Sequence, residues 1–447
     1  MNKSLYLTVV IILSLCLYGC MGSNYGYTGE LSRGTKGKSA GTTEIPPSGM
    51  IYIPSGHVVI GNNDQDILWA MNAVPRTITI NAFWMDQTEI TNYEYRQFAN
   101  YVRDSIIRAL LGTADDNFFL PEDEDFDYTD DEKRPLNWRA RINRKDEAHR
   151  SLLREMNYSG DEAISRREEI DVRKLIYEYS WIDYQQAAHA RYDAEQKKYT
   201  GFIINAQGER EEIRDRSSFI MKESVYVYPD TLCWIRDFAF SYNEPFVTSY
   251  FSHVSYNDYP VVGISWKQAT AFCWWRTDMI YSSLSRDYPN PYRLPNEAEW
   301  EYAARGGLES ELYPWGGPYA TNKEGCYLAN FKPQRGKYEL DGGVYTMPVG
   351  SYEPNDYGLY DMAGNVSEWT SNTFDENAYS QYHDLEPNFT TNSKSSDPSV
   401  FKRKVVRGGS WKDISYFLQC GTRMYEYQDS TKSYIGFRCV RSYMGTR

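Results

Sequence analysis

Residues 293–307 read Arg293-Leu294-Pro295-Asn296-Glu297-Ala298-Glu299-Trp300-Glu301-Tyr302-Ala303-Ala304-Arg305-Gly306-Gly307, a stretch that carries its own start and stop signals. Asn296 follows a proline and stands three positions before Glu299. That is the spacing of a capping box, in which each side chain satisfies a backbone donor that the first helical turn leaves orphaned. Gly306 and Gly307 close the segment with the left-handed backbone that only glycine enters cheaply. A short helix between these signals is expected.

Working outward, the same device opens two more helices. Ser265-Trp266-Lys267-Gln268 is a capping box followed by Ala269, Phe272 and Cys273 at helical spacing. Thr91 and Glu94 form another, with Tyr95 and Phe98 on one face of the helix they start. Before it, Ile51-Tyr52-Ile53-Pro54 and Val58-Val59-Ile60-Gly61 read as strand, turn and strand, and Thr77 to Ile80 alternates into Phe83-Trp84-Met85. Beyond Gly307, periodic segments give way to turns rich in Gly, Pro, Asn and Trp. Residues 101–257 differ again: Glu122 to Glu132 holds eight carboxylates, and 141–198 is dense in charge with helical stretches, where Leu175, Tyr179 and Ile182 mark one apolar stripe. This block reads as a large, partly helical insertion. Its acidic run reads as a solvated loop rather than a metal site.

The start of the chain is of another kind. Lys3 precedes an almost wholly apolar run, Leu5 to Leu17, which is shorter than the roughly 20 residues a membrane span needs. It ends at Leu17-Tyr18-Gly19-Cys20, which resembles the bacterial lipobox, with Tyr18 bulkier than usual. Residues 1–19 are therefore expected to be a signal peptide and Cys20 the lipidated first residue. Residues 20–48, rich in Gly, Ser and Thr, form a flexible leash, and 49–447 the folded part. The formal charge of −13 argues against a nucleic-acid partner, whose phosphates demand a basic surface. The 40 tyrosines and 12 tryptophans supply amphipathic area usable in a core or an interface.

Taken together, residues 293–307, Tyr313-Pro314-Trp315-Gly316, the run from Tyr357 through Asp361-Met362-Ala363-Gly364-Asn365-Val366-Ser367-Glu368-Trp369, Arg407-Gly408-Gly409-Ser410-Trp411 and Gly436-Phe437-Arg438-Cys439 resemble the sulfatase-modifying-factor domain. That is the fold of formylglycine-generating enzyme, itself similar to the C-type lectin fold. Glu89-Ile90-Thr91-Asn92 agrees as well, so the motifs run in order over 50–100 and 258–441. The resemblance implies an α+β, loop-rich domain interrupted by the 101–257 insertion. The lipobox, that insertion, Tyr313 to Tyr319, Ala329-Asn330-Phe331-Lys332-Pro333 and Arg407 to Asp413 narrow it: together they look like the GldK/PorK family, lipoproteins of the Bacteroidetes type IX secretion and gliding apparatus. That likeness implies a ring beneath the outer membrane, built from copies of the chain with a GldN/PorN-like periplasmic partner. The related GldJ stays open as an alternative. No acidic cluster follows Cys20, which favours the periplasmic face.

Formylglycine-generating enzymes hold copper with two thiolates placed shortly after Arg-Gly-Gly-Ser, because soft sulfur suits Cu(I). Here no cysteine lies between Ser410 and Cys420, and the best pairing puts Asp413 and Ser415 at those places. Neither copper nor the oxidase reaction is expected. His57, His149, His189, His253 and His383 are scattered without a zinc spacing. Calcium, which takes hard oxygens, is the expected structural ion. The resemblance assigns it Asp361, Gly364, Val366 and Glu368 at one site and Asn330, Phe331, Asp341 and Gly343 at another. It also implies a disulfide between Cys273 and Cys439. The family's second bridge needs a cysteine where this chain has Ala304, which leaves the pairing of Cys233, Cys326 and Cys420 open. A catalytically silent ring component is the leading reading. A modified oxidase and a lectin-like glycan or peptidoglycan binder are the alternatives.

Overall fold

The computed structural model describes residues 46–61, 73–120, 134–143, 146–162, 168–193, 195, 198–206, 208–237, 244–281, 290–391, 393 and 397–445. The signal segment, Cys20, the leash up to residue 45 and the acidic run 122–132 lie outside them.

Strands β1 (Met50–Ile53) and β4 (Phe83–Asp86) pair antiparallel, with Ile51 opposite Met85. A strand from the far end of the chain, β11 (Val440–Ser442), pairs with the other edge of β4, so Val440 also meets Met85. Between β1 and β4, β2 (Gly56–Ile60) and β3 (Arg76–Ile80) form a hairpin pair. β1 to β4 lie where the sequence placed strands, whereas β11 was not foreseen.

Helix α1 (Asn92–Gly112) begins at the expected capping box, with Thr91 accepting from the Glu94 amide and Glu94 accepting from that of Thr91. It does not stop at residue 101. It continues for three more turns because Val102, Ile107 and Leu111 extend the buried face begun by Tyr95 and Phe98. The 101 boundary therefore cuts through a continuous helix. Helix α2 (Glu147–Glu155) packs near its end. Helix α3 (Trp266–Tyr281) crosses α1: Tyr95 stacks on Phe272 at 5.6 Å and Phe98 meets Trp275 at 5.3 Å. The capping bonds between Ser265 and Gln268 form at 2.8 and 3.3 Å.

The stripe Leu175, Tyr179, Ile182 is not helical. It belongs to strand β5 (Ile176–Ile182) and the residue before it, and β5 pairs antiparallel with β6 (Ile220–Tyr226). The alternate residues Tyr177, Tyr179 and Trp181 turn toward α3. Tyr179 stacks at 6.3 Å on Trp274 and its hydroxyl donates to Glu223, while the Tyr177 hydroxyl donates to Asp278 at 2.8 Å. Tyr179 is thus part of the core and not free for a partner. Ile176, Ile182, Ile220 and Tyr226 stay exposed on the outer side.

Helix α4 (Glu297–Arg305) has the predicted box, Asn296 with Glu299 at 2.7 and 2.8 Å, and ends at Gly306 with φ 59°. Every residue of it is buried, three glutamates and an arginine included. It packs on the last sheet, ordered β9 (Met424–Tyr427), β8 (Arg403–Arg407), β7 (Ser367–Thr373), β10 (Ile435–Gly436). In that sheet Glu368 of β7 lies opposite Arg407 of β8.

Candidate functional site

The loops that the sequence singled out converge. The turn 361–366 enters β7 through left-handed residues Asp361, Gly364 and Asn365. A side chain at Gly364 would lie 2.4 Å from the Asn330 carbonyl oxygen, so only glycine lets the two predicted calcium loops touch. The Asn365 amide donates to that same carbonyl at 2.8 Å, and Asn330 Nδ2 donates to Asn365 Oδ1 at 3.2 Å. The Arg407-Gly-Gly-Ser turn joins them, its Gly408 carbonyl accepting from Gly364 and the Trp411 amide donating to the Asn365 carbonyl.

Glu89 holds this junction from beneath, accepting from the Val366 amide at 3.0 Å and from Asn365 Nδ2 at 2.7 Å. Glu89 stands within the Glu89-Ile90-Thr91-Asn92 motif, where its sequence alone implies no role. It lies among polar residues, Asp86-Gln87-Thr88-Glu89, two positions before the Thr91 cap, and nothing local sets it apart from a surface glutamate. Burial, together with the carboxylates of Asp361 and Glu368, raises its pKa well above the usual range. Asp361 is pushed up to about 6, chiefly by burial. Among the described residues Arg438 pairs directly with Glu368, and its charge only partly offsets the rise at Glu89 and Asp361.

Glu368 is the most heavily engaged of them. Its oxygens accept from Arg438 Nη2 and Nε at 2.7 and 2.8 Å and from Trp300 Nε1 at 2.8 Å. Asp361 accepts only from the Gly350 amide among the described residues, at 2.6 Å. At the other loop, Asp341 accepts from the amides of Phe331 (2.6 Å) and Gly343 (3.3 Å). Asn330, 1% exposed, leaves Oδ1 without a donor. Among the described residues no three His, Cys, Asp or Glu side chains gather at ligand spacing, so any ion here needs amide and main-chain oxygens too. The orphaned Asn330 oxygen beside Asp341 and the surplus of negative charge around Asp361 both fit a hard cation. Glu368, spent on Arg438 and Trp300, is the least available of the expected ligands.

The expected thiolate positions carry oxygen. Asp413 accepts from the Ser410 hydroxyl at 2.6 Å, its pKa is raised by burial, and its main-chain oxygen accepts from Lys332. Ser415 opens a short 3-10 turn and its carbonyl accepts from Tyr313. Cys273 and Cys439 are brought together in the core, Sγ to Sγ 3.4 Å. Cys420 is buried beside Ala304 in another cluster, its thiol pushed up to about 12 by burial, and Cys326 is exposed.

The Sulfatase-modifying factor enzyme 1-like domain matches residues 36–164 and 180–443. The chain belongs to this family. The match runs into the 101–257 block, leaving 165–179 between its two segments. Among its relatives is the formylglycine-generating enzyme of Bos taurus, 25% identical over 418 residues, 92% of this chain and 79% of that protein. The formylglycine-generating enzyme of Mus musculus is 35% identical over 198 residues, 42% of this chain and 46% of the enzyme. Inactive C-alpha-formylglycine-generating enzyme 2 of Bos taurus is 36% identical over 189 residues, 41% of this chain and 50% of that protein. The chain thus spans about half the length of these last two. Among solved structures, PvdO from Pseudomonas aeruginosa shares 17% identity with a TM-score of 0.41, covering 91% of this chain and all of the other.

Calcium at 100 times its dissociation constant is expected to stabilise the protein by about 2.7 kcal/mol. Asp361→Asn, which keeps a residue that tolerates the left-handed turn, and Asp341→Asn should each reduce that gain. Melting in calcium and in chelator measures it. Coincident wild-type curves would remove the ion from both loops.

Proposed function

We propose that this chain is a non-catalytic structural lipoprotein of the type IX secretion and gliding machinery, of the GldK/PorK kind. It stands as a ring on the periplasmic face of the outer membrane, tethered through lipid at Cys20 and assembled with a GldN/PorN-like protein. The observation carrying the silent-domain part is the pair Asp413 and Ser415, oxygen side chains where copper chemistry needs sulfur. The domain keeps the family frame, on a C-type-lectin-like scaffold, and uses it for positioning. Calcium in the 330–343 and 361–368 loops would stiffen the junction described above. No described helix is long and apolar enough to cross a membrane, and the tether reading rests on Leu5 to Cys20. The 101–257 block supplies partner contacts through residues left exposed, such as Ile182 and Tyr226, and not through Tyr179.

The test is affinity purification of the protein from detergent-solubilised membranes, with mass spectrometry of what comes with it, for wild type and Cys20→Ala. The wild type should bring down a GldN/PorN-like protein and fractionate with the outer membrane. Cys20→Ala should be released or accumulate as precursor, since stable anchoring requires more than one acyl chain. Recovery of a sulfatase as the main partner, or cysteine oxidation of a peptide by the purified protein with copper, would overturn the proposal.

A further inference from the structure

The β5–β6 sheet has two strands, so each has one edge that no other described strand pairs with. At its ends the Asp183 amide donates to the Phe219 carbonyl and the Val227 amide to that of Leu175. In an antiparallel ladder such bonds recur at every second residue. The odd-numbered residues of β5 therefore bond to β6, and the even-numbered ones, from Ile176 to Ile182, turn their amides and carbonyls toward the outer edge. The side chains of these even-numbered residues, with Ile220, Lys222, Ser224 and Tyr226 opposite them, form a face exposed along its whole length.

The two edges are not alike. Lysine, proline and bulges are the usual protection of an edge strand against pairing with another chain. β6 carries Lys222 in its middle, and its Tyr226 carbonyl already accepts from Gln268 Nε2 at 2.9 Å. β5, which reads Ile-Tyr-Glu-Tyr-Ser-Trp-Ile, has no lysine, no proline and no bulge against β6. All but Glu178 and Ser180 are isoleucine or aromatic, the types that strands favour. The edge of β5 is thus the one left open to another strand.

The sequence of β5 is self-complementary. Antiparallel pairing about a two-fold axis at Tyr179 sets Ile176 of one copy against Ile182 of the other, Tyr177 against Trp181, and Glu178 against Ser180. Aliphatic and aromatic side chains then meet their own kind, as stable cross-strand pairs do. A shift of two residues one way would set Glu178 against Glu178, a like-charge pair, and the other way against Ile182. A slip of one residue would set the buried face against the exposed one. We propose that β5 pairs in this register with β5 of a second copy of the chain, making one four-stranded sheet β6–β5–β5–β6. Such a contact is isologous and closes on itself, so it yields pairs of copies. A ring would be assembled from these pairs through another surface, and the pairing itself does not require a ring.

Sedimentation equilibrium of the chain from residue 20 onward, carrying Cys20→Ala to exclude acylation, tests this. A contact along one strand edge is small, so protein at tens of micromolar is used, and a reversible dimer is expected. Ser180→Pro removes an amide that points away from β6, where an edge strand tolerates proline. That variant, checked for an unchanged melting temperature, should dimerise at least about tenfold more weakly. Ser224→Pro, the matching change at the outer edge of β6, should dimerise as the parent chain does. The register is read separately by disulfide formation in a Cys326→Ser background. A mixture of Glu178→Cys and Ser180→Cys chains should cross-link about tenfold faster than either variant alone, because only the mixed pair stands directly opposite. A monomeric parent chain, an undiminished dimer in Ser180→Pro, equal loss in Ser224→Pro, or mixed cross-linking no faster than that of the single variants would overturn the proposal.

Discussion

Replacing Glu297 by alanine is expected to cost about 3–5 kcal/mol of folding stability, since it removes the carboxylate with which the buried guanidinium of Arg423 is paired. Glu297 is fully buried at the start of α4 and binds Arg423 Nε and Nη2 at 2.6 and 3.0 Å, with Arg407 Nη1 at 3.5 Å. The hydroxyls of Tyr379 and Tyr382 donate to it at 3.2 and 3.1 Å. Arg407 continues to Glu301, which also holds Arg305 at 2.6 Å and the Gly61 amide at 2.9 Å. Burial alone would raise the Glu297 pKa, but Arg423 and Arg407 outweigh it and hold the carboxyl below its usual range. Its contribution is therefore present at neutral pH and is lost as pH falls through that depressed value. Denaturant unfolding measures the loss. A double variant, Glu297→Ala/Arg423→Met, should cost less than the sum of the single changes. A loss under about 1 kcal/mol in Glu297→Ala would show that the network is not the clamp inferred from its geometry.

Lys404→Met is expected to act in the opposite direction, stabilising the protein at neutral pH. Lys404, in the middle of the last sheet, is 2% exposed, and burial lowers its amine to about 8. Its Nζ lies over the Trp266 ring at 4.1 Å and donates at 3.4 and 3.3 Å to the Thr373 hydroxyl and the Thr391 carbonyl. No carboxylate among the described residues pairs with it. A shift of that size corresponds to about 3 kcal/mol spent on keeping the charge buried. Loss of the ring contact offsets about 1–2 kcal/mol of that, for a net gain of about 1–2 kcal/mol in Lys404→Met at pH 7. Between pH 8 and 10.5 the unfolded lysine keeps a proton that the folded one has released. Wild-type stability should then rise with pH relative to the variant, closing the gap. A stability difference that stays flat from pH 7 to 10.5 would sink this account.

The three capping boxes, at Thr91/Glu94, Ser265/Gln268 and Asn296/Glu299, were legible from spacing alone because each is closed by atoms within one helical turn. The early strands were legible for a similar reason, their alternation reporting which face each side chain takes. The order of the motifs also carried the family and the loops that meet at Asn365. What spacing could not supply were outcomes that depend on a partner far along the chain. Leu175, Tyr179 and Ile182 suit a helical stripe. It is pairing with residues 220–226, some forty positions away, that makes a strand and turns Tyr179 onto Trp274. The end of α1 depended likewise on a buried face that the segment from residue 101 could not announce without its neighbours. Glu89, Glu297 and Glu368 look in the text like any surface glutamate. Only packing makes them fully buried and gives the latter two Arg423 and Arg438, because the energy of a charge is set by the water it has lost and the counter-ion it has gained.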